Sequence, residues 1–125
     1  MTEHWLPVPG WPDYEISDLG RCRSLPRTVD GKADSEGRPS QRRLEGQLLS
    51  RVIRPNGLPC FNLWRGNDYR QFPARRLVLT AFDKPRPRGM DAVNEDGDLL
   101  NCTLGNLKWD YAMHAGSLRR ELGIR

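Results

Sequence analysis

Only one internal stretch of this chain has the apolar spacing of a helix with a buried face. In Arg75-Arg-Leu-Val-Leu-Thr-Ala-Phe, the residues Leu77, Val78, Ala81 and Phe82 recur at helical spacing, and Pro85 and Pro87 end the element. Elsewhere 12 Gly and 10 Pro in 125 residues break the chain too often for long helices. Short alternating segments take their place, so the helix has to pack on strands. The expected fold class is α+β: an N-terminal β-hairpin and small antiparallel sheet region, followed by two strands and a terminal helix. Residues 111–122 have the composition of that last helix despite Gly116.

The strands are legible from alternation. After the proline-spaced Trp5-Leu-Pro-Val-Pro-Gly, the chain alternates around Tyr14 and Ile16 and turns at Asp18-Leu-Gly-Arg. It returns as Arg21-Cys-Arg-Ser-Leu, with Cys22 and Ser24 on one side and Arg21, Arg23 and Leu25 on the other. Cys60-Phe-Asn-Leu-Trp and Tyr69-Arg-Gln-Phe form a second hairpin, closed by Gly66-Asn-Asp. Met90-Asp-Ala-Val-Asn enters the acidic turn Glu95-Asp-Gly-Asp, and 101–109 supply a loop and the following strand. Residues 28–43 are polar, rich in Gly and Ser and without an apolar period, which reads as a mobile loop that orders on a partner.

Charge narrows the function. Residues 21–88 carry 16 Lys/Arg against 6 Asp/Glu, whereas 91–125 carry 4 against 6. Seventeen of the 20 cations are Arg, whose planar fork matches phosphate oxygens and guanine edges. A polyanion, nucleic acid before others, is the expected partner. Of the aromatic residues, most are expected in the core, with Trp64 the one expected at the surface.

Several classes are disfavoured. No apolar run approaches the roughly 18 residues of a membrane span, and Met1 to Trp5 lacks the basic and apolar stretches of a secretory signal. The expectation is a cytoplasmic protein with no membrane partner. Cys22, Cys60 and Cys102 are widely spaced and odd in number, so neither a disulfide framework nor a zinc knuckle is indicated. With only His4 and His114 as histidines, any metal would be held by oxygen.

The order of these motifs is similar to that of a known family. Glu3-His-Trp-Leu-Pro-Val-Pro-Gly and Tyr14-Glu-Ile-Ser-Asp-Leu-Gly-Arg-Cys-Arg-Ser-Leu resemble the nuclease-associated modular domain that precedes many HNH nucleases. Arg75-Arg-Leu-Val-Leu-Thr-Ala-Phe, Asp96-Gly-Asp, Asn101 and Gly105-Asn-Leu-Lys-Trp resemble the HNH module of phage and intron homing endonucleases. The resemblance implies residues 1–54 as a modular DNA-binding region containing the loop 28–43, and 55–125 as a ββα-metal module. It also implies a monomer, encoded by a phage or mobile element, that acts on double-stranded DNA in a bacterial host.

Such enzymes cut DNA with a general-base histidine and a divalent ion. Carried over by position, the histidine before the Arg-Leu-Val helix falls on Arg75, the general base on Asn94, a neighbouring metal ligand on Val93 and a final-helix ligand on Ala115. An amide accepts no proton at neutral pH, and loss of a general base costs about 10²–10⁴ in rate. The resemblance therefore implies an HNH-type endonuclease whose catalytic positions are substituted.

Three readings stay open. One is a catalytically degenerate DNA-binding protein without a firm cofactor. Arg21, Arg23, Arg27, Arg42, Arg43, Arg51 and Arg54 are its candidate DNA contacts, extended by Arg65 and Arg70, and Arg75 is a phosphate clamp. The second is an active nicking enzyme rebuilt around Asn94, Glu95, Asp96, Asp98 and His114, with Asp96 and Asp98 holding Mg²⁺ or Mn²⁺; against it stands the plainer role of Asp96-Gly-Asp in capping its own loop. The third is a repurposed fold that engages a host protein.

Overall fold

The computed structural model describes residues 2–31, 35–38 and 40–111. Three antiparallel strands come first: β1 (Trp5–Val8), β2 (Trp11–Ser17) and β3 (Cys22–Ser24). The alternation seen in the sequence sends Tyr14 and Ile16 of β2, and Cys22 opposite Ile16, into the interior. Ser17 closes the turn after β2, its buried hydroxyl accepting from the amides of Leu19 and Arg21. The segment around 47–49 then runs along the free edge of β3. Ser24 N–H donates to the Gln47 carbonyl and Leu49 N–H to the Cys22 carbonyl, at 2.9 Å each. Gly46 is required for that approach, because a Cβ there would lie 2.4 Å from the Ser24 carbonyl oxygen.

The segment 28–43 departs from the expected loop. β4 (Arg27–Asp30) pairs antiparallel with β5 (Gln41–Leu44), so both ends of the segment are strand. Neither strand has a clean apolar face, and an apolar-period reading is blind to pairing carried by backbone hydrogen bonds alone.

β6 (Val52–Ile53), β7 (Pro59–Arg65) and β8 (Asp68–Pro73) make a further antiparallel sheet. β7 and β8 are joined by the two-residue turn Gly66-Asn67, in which Gly66 has φ +64° at the first central position, as a type II′ hairpin turn requires. Helix α1 (Ala74–Phe82) follows Pro73 directly and buries Ala74, Leu77, Val78 and Leu79. Ala81 and Phe82 sit half-buried at the edge of the core. Beyond the proline stretch, β9 (Met90–Asn94) pairs with β10 (Leu107–Tyr111), and a short 3₁₀ turn at Leu104–Asn106 leads into β10. The helix expected after β10 lies outside the described residues.

One hydrophobic cluster joins these pieces. Ile16 from β2, Phe61 and Leu63 from β7, Val78 and Leu79 from α1, and Ala92 and Leu107 from β9 and β10 are packed together. The boundary expected at residue 54 falls between β6 and its partner β7, and the cluster draws on both sides of it. The two ends are also tied through backbone: Leu104 N–H donates to the Asp18 carbonyl at 2.8 Å. Gly20 lies so close to Cys102 that a Cβ would stand 2.8 Å from its carbonyl oxygen. The three cysteines are free and buried; burial pushes the Cys22 thiol up to about 12, leaving it an inert packing group. No described helix is long and apolar enough to cross a membrane.

Candidate functional site

The first turn of α1 presents two consecutive arginines to β9. Arg76 forks onto Asp91 near the start of that strand, Nε to Oδ1 at 2.8 Å and Nη2 to Oδ2 at 2.9 Å. This guanidinium holds the Asp91 carboxyl below the usual range. Arg75 reaches the strand's other end, Nη1 donating to Oδ1 of Asn94 at 2.9 Å. The two positions that the resemblance aligns with family histidines are therefore in direct contact, though 19 residues separate them. Asn94 is only 9% exposed and fully engaged, its Nδ2 donating to the Asn101 carbonyl at 2.9 Å. The Arg75 Nε is buried and has no hydrogen-bond partner among the described residues.

The acidic turn is organised inward. Asp96 Oδ1 accepts from the Asp98 amide at 2.8 Å and from Asn106 Nδ2 at 3.0 Å, and Oδ2 accepts from Asn101 Nδ2 at 2.9 Å. Asn106 answers by accepting the Asp96 amide through Oδ1. These donors hold the Asp96 carboxyl below its ordinary value. Asp98 caps the Leu100 amide through Oδ1 at 3.0 Å, and Glu95 lies exposed, 3.9 Å from the Lys108 ammonium. His114 and Ala115 lie outside the described residues.

These groups do not fit a resident divalent ion. The amide oxygen of Asn94 faces a guanidinium, itself a cation, and the Asp96 oxygens already take three donors. Among the described residues no three His, Cys, Asp or Glu side chains are grouped to hold a metal.

The candidate DNA-contacting arginines divide into two sets. Arg21 pairs with Glu3, Nε to Oε2 at 2.9 Å with a second, shorter contact through Nη2, and holds the Glu3 carboxyl down at about 2. Arg23 pairs with its cross-strand neighbour Glu15 at 2.6 and 2.9 Å and lies 4.0 Å above the Trp5 ring. Arg43 pairs with Glu45 at 3.1 Å, Arg51 donates to the Leu100 carbonyl at 3.2 Å, and Arg65 covers the Trp11 ring. Arg27, Arg42, Arg54 and Arg70 have no ion-pair partner among the described residues, and neither do Arg86 and Arg88 of the proline stretch. Arg27 and Arg42 share a face of the β4–β5 ladder by register. The sequence reading missed Glu3 and Glu15 as neutralising partners. The signal was available for Glu15, since a hairpin that faces Tyr14 and Ile16 inward sets Glu15 outward opposite Arg23.

The NUMOD4 motif matches residues 3–64, from β1 into β7. No curated protein sequence matches the chain. A solved structure of DNA binding and cleavage by the HNH homing endonuclease I-HmuI is similar in fold, with a TM-score of 0.70 over 98% of this chain and 60% of that one at 20% identity. At that identity the likeness is one of fold, and this chain spans three fifths of the endonuclease's length. The chain carries a NUMOD4 motif and shares the fold of an HNH homing endonuclease.

Proposed function

We propose that this protein binds double-stranded DNA on a homing-endonuclease fold and does not cut it. The observation that carries the reading is the Arg75–Asn94 contact at 2.9 Å. Hydrolysis at such a site needs a base to take a proton from water and a cation to take up charge on the leaving oxygen. Asn94 takes up no proton at neutral pH, and Arg75 sets a fixed monocation against its amide oxygen. A guanidinium still binds a phosphodiester, through charge-assisted hydrogen bonds, but it generates no hydroxide. Arg27, Arg42, Arg54, Arg70, Arg86 and Arg88, without ion-pair partners among the described residues, supply the positive surface for the rest of the backbone.

The test is supercoiled-plasmid nicking with Mg²⁺ and Mn²⁺ against EDTA, with an Asp96→Ala, Asp98→Ala variant alongside. The plasmid is expected to stay supercoiled in every lane. Metal-dependent nicking lost in the variant contradicts the proposal and assigns cutting to the acidic turn.

A further inference from the structure

Three of the four tryptophans are half-buried and held by neighbouring groups. Trp5 lies under Arg23, Trp11 lies under Arg65 and edge-on to Phe72, and Trp109 donates its indole N–H to the Lys84 carbonyl at 3.2 Å. Trp64 differs. It is 48% exposed at the end of the β7–β8 hairpin and pairs with Tyr69, 53% exposed, with ring centroids 4.8 Å apart and planes inclined by 34°. Leaving two large rings in water forgoes the hydrophobic stabilisation that burial would give. Their backbone is nonetheless fixed, because the Trp64 amide donates to the hydroxyl of buried Tyr14 at 2.9 Å and the turn beyond is a tight two-residue one.

Alternation places Asn62 and Gln71 on the same face as the ring pair, one step down the ladder, joined Nε2 to Oδ1 at 3.0 Å. A groove of about 270 Å³ beside them is lined by Asn62, Trp64, Ser24, Gln47 and Arg27. Arg27 has no ion-pair partner among the described residues. One surface thus combines an exposed aromatic platform, amides suited to base edges and a free guanidinium suited to phosphate.

We infer that the exposed face of β7–β8 stacks on unpaired or unstacked bases of the bound DNA, with Arg27 taking the adjoining phosphate. This rests on the DNA-binding reading above and assigns it a contact surface separate from the Arg75–Asn94 site.

The experiment measures affinity for a continuous duplex and for the same duplex carrying a short single-stranded gap, with tryptophan fluorescence followed in parallel. Wild-type protein is expected to prefer the gapped DNA, with quenching. Trp64→Ala, Tyr69→Ala is expected to lose about tenfold on the gapped duplex and to hold its affinity for the continuous one. Trp64→Phe, which keeps an aromatic face, retains most of the preference. Arg27→Ala weakens binding to both and lowers the salt slope by about one. A double variant that binds both DNAs as wild type does, or a wild type without preference for the gap, overturns the inference. A wild type that binds neither DNA overturns the DNA-binding reading itself.

Discussion

Asn94 stands between a guanidinium and a backbone carbonyl, satisfying both from a nearly closed position. Asn94→Ala leaves the half-buried Arg75 guanidinium without its acceptor, while the Asn101 carbonyl keeps the Asn106 amide as a donor, and is expected to cost about 1–3 kcal/mol in urea unfolding. The carboxylates give a pH signature. Glu3, at about 2, and Asp91 both titrate lower in the folded chain than in the unfolded one, through Arg21 and Arg76. The unfolded chain therefore binds more protons in acid. Their stabilisation is complete above about pH 5 and is lost as pH falls through about 4 towards 2. Thermal melts across that window are expected to fall with pH, and Asp91→Asn to flatten part of the fall. The Arg76–Asp91 pair is partly solvated, so its own loss is expected to cost only about 1 kcal/mol after screening. At this scale the sequence was legible where register fixes neighbours, as for Glu15 and Arg23. The Arg75–Asn94 contact joins a helix to a strand 19 residues away, which no local spacing reveals; only the family resemblance drew attention to both residues.

The loop between β9 and β10 takes its shape from side-chain amides and carboxylates rather than from apolar packing. Asp96→Ala removes the acceptor shared by Asn101, Asn106 and the Asp98 amide. Hydrogen exchange across 95–106 is expected to accelerate, while α1 and β7 keep their protection. Gly20 ties the turn after β2 to this same region: its φ is +85° and it touches Cys102. Gly20→Ala meets both strain and contact, and is expected to cost about 1–3 kcal/mol. Helix α1 and the hairpins β2–β3 and β7–β8 were readable because each has a period or turn chemistry of its own. β4 and β5 were not, since their polar sequences offer no inward face and their pairing is a property of the backbone.

For the whole molecule, the single core sets what separates and what does not. Phe61 lies within the span of the NUMOD4 match and packs in the same cluster as Val78, Ala92 and Leu107. Phe61→Ala is expected to lower stability by about 3–5 kcal/mol in one transition seen equally by every probe, rather than melting one part first. The uneven spread of charge along the chain pointed to a polyanion. Ion pairs to Glu3, Glu15 and Glu45 engage Arg21, Arg23 and Arg43, and the proposed DNA surface rests on the arginines without such partners among the described residues. The most direct measurement titrates labelled duplex DNA with the protein in Mg²⁺ at several salt concentrations and then resolves the recovered strands under denaturing conditions. A mobility shift that weakens steeply with salt, with both strands intact, is expected of a binding protein on this nuclease fold. No shift at low salt, or strands cut in the presence of the metal, would contradict it.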